Sequence, residues 1–329
     1  MKLKVALLAG GDSSEREIAL KSAAMVEAAF DREKYDVMLI DVHGREWSYT
    51  NEAGERWLLD RNDFSITVNG SRTSFGYAFI MIHGAPGEDG KIQGYLDMMK
   101  IPYSSSGLAS TVVTFDKQLT KRTVRGIKGL NLAKEIIIAK GDMVDANGIS
   151  EKLGMPVFVK PNASGSSFGV SKVKRPEELR SAVELAFKES DFVLIEEFIG
   201  GREFGVGVVV TEQKEYVFPV AEIISKNEFF DFEAKYIEGR SDEIVPADIP
   251  AELSVRLQAL GLEVYKACGC RGVARADFIV TASGDIYMIE INSIPGMSSG
   301  SIVPKQIVAA GMTMTELIDI IIEDTRCSR

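Results

Sequence analysis

Asp277, Glu290 and Asn292 occupy a stretch whose spacing could bring two carboxylates and an amide together. Two apolar runs of strand length, residues 273–280 and 286–292, flank a Ser283-Gly284-Asp285 turn and read as a hairpin. Side chains alternate between the two faces of a strand. Arg275 and Asp277 therefore share a face, as do Glu290 and Asn292, while Tyr287, Ile289 and Ile291 are expected on the opposite, core-facing side. Pairing across the turn would place Asp277 near Glu290 and Asn292. Carboxylates crowded on apolar strands are unfavourable unless a cation joins them. A donor set made only of oxygens suits magnesium, held jointly with a substrate phosphate. The plain alternative is a solvated hairpin face. The loop that follows, residues 293–301, is built of small residues and can present backbone N–H groups to an anion, which favours the first reading.

Other residues suit the same chemistry. Lys160 ends an apolar strand and runs into the Gly/Ser stretch 162–170, with a further strand at 170–173. This is not a Walker loop, whose lysine follows the glycines and opens a helix. A hairpin with a Gly/Ser tip can instead fold over a triphosphate, and Lys117, on an earlier helix, is a second candidate cation. His83 stands at the end of the strand 78–82 in a glycine loop running to Gly90. Glu15 lies in the first turn of a helix, where a Ser14…Glu17 capping box is expected and Ile18, Ser22, Met25 and Ala29 mark the buried face. The strand 192–195 passes into Glu196, Glu197, Phe198 and Ile199, an apolar wall with backbone groups suited to a purine, and Glu203 suits ribose hydroxyls. Residues 229–248 form a long irregular segment with aromatic anchors, which reads as a lid.

These side chains need a framework of several layers. At 329 residues the chain exceeds one ordinary core, so two or three domains are expected. The opening strand, glycine turn and helix begin a doubly wound α/β unit, in which ligands meet the carboxyl ends of strands. It lacks the G-x-G-x-x-G spacing of a dinucleotide site. Residues 44–76, with Trp47 and Trp57, read as a polar peripheral insertion. A net charge of −10 argues against nucleic acid or an anionic membrane as partner. No apolar run reaches the ~18 residues of a membrane span, and the N-terminus lacks a signal-peptide layout. Cys268, Cys270 and Cys327 have no metal spacing, so reduced thiols and a cytoplasmic protein are expected, with the C-x-C at a helix end.

Taken together, the blocks Gly10-Gly11…Ser14-Glu15-Arg16-Glu17, His83-Gly84…Gly87-Glu88-Asp89-Gly90, Lys160-Pro161…Gly165-Ser166-Ser167, Glu233-Ala234-Lys235-Tyr236, Arg275-x-Asp277-Phe278 and Glu290-x-Asn292-x-x-Pro295-Gly296-Met297 resemble the D-alanine–D-alanine ligase family over nearly the whole chain. The resemblance implies an ATP-grasp fold: an N-terminal doubly wound domain (1–105), a central domain (106–195) and a C-terminal domain (196–329), with ATP between the last two. It assigns Lys117, Lys160 and Lys235 to the phosphates under a loop carrying Ser166. The adenine falls near Phe198 and the backbone of Glu196, Glu197 and Ile199, and the ribose on Glu203. Asp277, Glu290 and Asn292 would hold two Mg²⁺ ions, with Mn²⁺ an admissible substitute. Glu15 would face the ammonium of the first D-alanine in a network with Ser166 and Tyr236, with His83 nearby. Arg275 and the Gly296 N–H would form the oxyanion site, and Ser301 would bind the second carboxylate. A homodimer is the implied assembly. Ser298 stands where the family commonly has Thr and Gly300 where it has His, and the 44–76 insertion exceeds the usual length.

The chemistry implied is carboxylate activation. An amine cannot displace oxide from a carboxylate, so γ-phosphoryl transfer first makes an acyl phosphate, which the second amine attacks. Transfer depends on positioning and charge neutralisation, and the labile intermediate needs a closing lid. Two other readings stand beside this one: a ligase making a D-alanine–D-lactate ester, and a non-catalytic nucleotide-binding module on the same fold.

Overall fold

The computed structural model describes residues 2–225 and 241–327. Glu233, Lys235 and Tyr236 of the expected lid lie outside the described residues. The chain builds three sheets. In the first, Leu3–Gly10 lies between Tyr35–His43 and Tyr77–Met81 and is parallel to both. This is the doubly wound opening, with the carboxyl ends of the central strands delivering Gly10 and His83 to one edge.

Residues 44–76 are not a separate insertion. They form the antiparallel strands Glu46–Thr50, Arg56–Asp60, Ser65–Val68 and Ser71–Ser74, which continue the same sheet outward in that order. Trp47 is buried edge-on against Tyr95, with ring centroids 5.3 Å apart, and Trp57 stacks on Tyr49. The polar sequence reflects strands with one face open to solvent.

The helix Arg16–Ala29 covers this sheet with Ala19, Ser22, Ala23 and Val26. Of the expected face only Ser22 is buried; Met25 is exposed. The capping box does not form either. Glu15 is the N-cap residue with no side-chain capping bond, Ser13 Oγ accepts the Glu15 N–H at 3.2 Å, and Ser14 Oγ donates to Glu189 at 3.1 Å. Tertiary partners have taken groups that local capping would otherwise use.

The second sheet is antiparallel throughout, in the order Ser171–Val173, Val157–Pro161, Phe192–Glu197, Glu135–Ala139. Residues 162–170 join its first two strands, as expected of a Gly/Ser-tipped hairpin. The third sheet runs Ser241–Ile244, Ala221–Ser225, Arg202–Val210, Val273–Val280, Ile286–Asn292, Leu130–Asn131. Ser241–Ile244, read from sequence as part of an irregular lid, is therefore an ordinary antiparallel strand beside Ala221–Ser225. Val113, Val124 and Leu130 pack into the core under this third sheet, together with the helix Ala251–Ala267, whose C-cap is Cys268.

The hairpin itself forms with the expected ends, and Asp277 pairs with Glu290 and Arg275 with Asn292. The register shifts between Asp277 and Phe278, where Phe278 faces Met288 and Ile289 becomes the extra residue. A bulge turns two consecutive side chains to one face. The core-facing residues of the second strand are accordingly Ile286, Met288 and Ile291, and of the expected trio only Ile291 is buried. Tyr287 and Ile289 turn instead to the side that carries Glu290 and Asn292.

Candidate active site

A cleft opens between the second and third sheets. Its apolar wall is made by Phe158, Val170, Ile199, Ile279, Tyr287 and Ile289, and its polar groups by Lys117, Lys160, Glu196, Glu203 and Glu290. The bulge explains the floor: Ile289 and Glu290 are neighbours in sequence, yet both face the cleft. Phe198 is not among the lining residues. Its ring packs against Phe158, with centroids 5.9 Å apart, and the Lys172 ammonium lies 4.2 Å over it. Phe158 and Ile199 hold the wall position, and no local signal marks Phe158 for it.

Lys117 and Lys160, two of the three expected lysines, line the cleft, each tied to an acid, and Lys235 lies outside the described residues. Lys160 Nζ lies 2.6 Å from Glu196 Oε2, and Lys121 Nζ lies 2.6 Å from Glu196 Oε1. Burial works against charge on Lys160, but the Glu196 carboxylate outweighs it and raises the lysine's pKa. Burial likewise opposes ionisation of Glu196, and the two lysines overcome it and lower its pKa. Lys121, which also bonds the Ala133 carbonyl at 2.8 Å, went unremarked in the sequence because nothing local marks a buried lysine.

Lys117 Nζ donates to the Ser164 carbonyl at 2.7 Å and stands 3.4 Å from Glu290 Oε2. One ammonium therefore touches both the Gly/Ser tip and the hairpin. Further along the tip, Ser166 Oγ donates to Glu15 Oε1. A Cβ on Gly165 would press on the Glu15 carboxylate, so the glycine lets the tip come close to that acid without displacing it. Ser166 and Ser167 hold φ values of 49° and 60°, a left-handed backbone uncommon outside glycine and typical of functional turns.

At the hairpin, Arg275 Nε and Nη2 donate to Asp277 Oδ1 and Oδ2, both at 2.7 Å, and Asn292 Nδ2 donates to Asp277 Oδ2 at 3.0 Å. Asp277, Glu290 and Asn292 offer oxygen donors on one face of paired strands. That chemistry fits a hard cation held partly by phosphate. No cluster of three or more His, Cys, Asp or Glu able to hold a metal by itself occurs among the described residues. Beyond the hairpin, a Cβ on Gly296 would lie 2.7 Å from Ser301 Oγ. Ser301 is the N-cap residue of the helix Ile302–Ala309 without a side-chain capping bond, and its hydroxyl is 2.9 Å from that of Ser298. A helix N-terminus with a hydroxyl at its mouth suits a carboxylate.

His83 is buried with both ring nitrogens engaged: Nδ1 with the Ile294 carbonyl at 2.9 Å and Nε2 with Ser22 Oγ at 3.1 Å. A carbonyl only accepts, so Nδ1 carries the proton and Nε2 accepts from Ser22. Burial, with a smaller contribution from Arg275, lowers the pKa to about 4. The ring is neutral in the fold and titrates near 6.5 when unfolded. Stability is thus complete above about 6.5 and falls as pH drops toward 4. At ~1.4 kcal/mol per unit the loss is about 3 kcal/mol. Denaturant titrations at pH 7 and pH 4.5 should show this slope flattened in His83→Gln; an equal slope in both proteins would contradict it. Glu88, from the same glycine loop, accepts the Gly84 N–H at 2.8 Å and the Ile294 N–H at 3.3 Å. Burial and then the charge of Glu15 push it up to about 8, against the pull of those two N–H groups.

The chain is similar to known proteins over nearly its whole length. The family model described as D-ala D-ala ligase N-terminus matches residues 4–106, and the one described as D-ala D-ala ligase C-terminus matches residues 127–323. The chain is 41% identical over 324 residues to the D-alanine–D-alanine ligase of Bacteroides fragilis, covering 98% of this chain and 99% of that protein. Among solved structures it resembles the D-alanyl-alanine synthetase A of Vibrio cholerae, with a TM-score of 0.88 at 26% identity over 99% of this chain and 98% of that one. It also resembles the VanG D-Ala:D-Ser ligase of Enterococcus faecalis, with a TM-score of 0.83 at 29% identity over 98% and 99% of the two chains.

Proposed function

The chain belongs to the D-alanine–D-alanine ligase family, and from that premise we propose how its residues carry out the ATP-dependent joining of two D-alanine molecules for peptidoglycan synthesis. The carrying observation is Lys117, whose ammonium touches both the Ser164 carbonyl and Glu290. That contact supports a nucleotide whose phosphates lie between the Gly/Ser tip and the hairpin.

The adenine lies against Phe158, Ile199 and Ile289 and bonds the backbone of residues 196–199, while Glu203 takes the ribose. Lys117 and Lys160, joined by Lys235, neutralise the phosphates. Asp277, Glu290 and Asn292 would hold two Mg²⁺ ions, or Mn²⁺ in their place; such ions offset phosphate charge during transfer. Glu15, fixed by Ser166, receives the ammonium of the first D-alanine, and His83 borders that site through Gly84, whose Cβ would lie 3.0 Å from Glu15 Oε2. The first carboxylate attacks the γ-phosphorus and ADP leaves. The second amine then attacks the acyl carbon, the developing oxyanion is met by Arg275 and the Gly296 N–H, and phosphate departs. Ser301 orients the second carboxylate, and Tyr236 completes the network on Glu15. Domain limits near 105 and 195, a homodimer and a cytoplasmic site of action belong to the same reading. ATP use supports the last, as do the free buried thiols Cys268 and Cys270.

The D-Ala:D-Ser relative makes the second substrate the point to test. ADP release and product mass, measured with D-alanine alone and with equimolar D-lactate or D-serine added, should give D-alanyl-D-alanine as the main product. A predominant ester or mixed dipeptide at neutral pH overturns the assignment.

A further inference from the structure

The loop of residues 294–297 is held from across the molecule by three side chains of the first sheet's layer. Glu88 Oε1 accepts the Ile294 N–H at 3.3 Å, His83 Nδ1 donates to the Ile294 carbonyl at 2.9 Å, and Ser22 Oγ accepts the Met297 N–H at 3.2 Å. Ser22 also donates to His83 Nε2 at 3.1 Å, so the serine and the histidine lock each other's orientation. All three groups are buried, Ser22 completely. The bonds span more than 200 residues of sequence.

The pattern of what is held matters. Ile294 and Met297 give their N–H groups to the clamp, and Pro295 has none and a fixed φ. Gly296 is left as the N–H in the loop that the clamp does not take, and its flanks are pinned on both sides. A lone backbone donor stabilises an oxyanion only if its direction is set before charge develops. Gly296 itself has no side chain to anchor it.

We propose that Ser22, acting with His83 and Glu88, is a positioning residue that aims the Gly296 N–H at the tetrahedral intermediate of the second, amide-forming step. This rests on the assignment of Gly296 above. It makes the first domain a determinant of the rate of a step whose donors lie in the last.

Removing the Ser22 hydroxyl cuts the Met297 tether and takes away the partner of His83 Nε2, while leaving Glu15, the lysines and the hairpin in place. For Ser22→Ala in the full-length protein, dipeptide formation at saturating D-alanine should fall about 10- to 100-fold, the scale of a small misplacement. The KM for ATP should stay within about twofold. Exchange of the β,γ-bridging oxygen of ATP in the presence of D-alanine reports acyl-phosphate formation and its reversal, and it should persist. Ser22→Thr, which keeps the hydroxyl, should restore most of kcat. Glu88→Ala gives a second test independent of the helix, since it removes the acceptor of the Ile294 N–H. It should lower kcat in the same selective way.

Wild-type protein that makes no dipeptide would sink the assigned reaction itself. Active wild type beside a Ser22→Ala variant with unchanged kcat, or with isotope exchange lost in step with dipeptide formation, would overturn the positioning role alone. A lowered melting temperature with full kcat per folded molecule would show a merely structural serine, and would overturn it too.

Discussion

Replacing Glu290 by Gln should remove nearly all turnover while leaving the fold intact. The two side chains match in volume, and Glu290 is only partly buried, on the cleft face of its strand. What changes is charge. Glu290 faces Asp277 across the hairpin and stands 3.4 Å from Lys117 Nζ, so it balances the lysine that also touches the Gly/Ser tip. Magnesium contributes several kcal/mol to stabilising phosphoryl transfer. At tenfold per ~1.4 kcal/mol, a lost anionic ligand should cost about 10³ in kcat. Coupled ADP release across a magnesium titration, beside thermal unfolding, is the check. Unaltered turnover and magnesium dependence in a normally folded variant would take the hairpin out of the chemistry.

Arg275→Lys should be the next most damaging change, at about 10²–10³ in kcat, the usual cost of one oxyanion donor. The guanidinium meets Asp277 with two parallel bonds of 2.7 Å. A lysine keeps the charge but cannot make that fork, so it neither holds the carboxylate squarely nor presents a donor in a fixed plane. Nucleotide affinity should change little, since no lysine of the phosphate site is touched. Equilibrium ADP binding and steady-state kinetics separate the two effects. A kcat within threefold of wild type would remove Arg275 from the oxyanion site.

Part of the hairpin is legible in the sequence. Its ends and its turn follow from apolar patterning and a short connection, both local properties, whereas the meeting of Asp277 with Glu290 needs the bulge: counted from Val280 opposite Ile286, an unbroken ladder sets Asp277 opposite Ile289. The bulge did not follow. One extra residue at Ile289 reverses the alternation, and nothing in Met-Ile-Glu-Ile announces which residue will slip. Its consequence is functional, since it puts an apolar side chain and a carboxylate next to one another on the cleft face. The capping box failed for a related reason. Ser14 and Glu17 carry the local signature of a helix start, but Ser14 gives its hydroxyl to Glu189 and the N-cap position falls to Glu15, whose carboxylate meets Ser166 instead. Residues 44–76 looked peripheral because their exposed faces are polar, yet their backbone groups found partners at the edge of the first sheet.

By itself, then, the order of residues determined the chemical types at hand: oxygen donors on a hairpin, lysines ahead of a Gly/Ser tip, an acid at a helix start, and a glycine loop after an apolar strand. These are set by composition and short spacing, which a chain carries with it unfolded. Tertiary structure alone decided which of them share an ammonium, that His83 is neutral with both nitrogens in use, that Ser22 and Glu88 hold the 294–297 loop, and that Lys121 pairs with Glu196. Those outcomes depend on burial and on contacts between residues as many as 275 positions apart, and no local pattern encodes them.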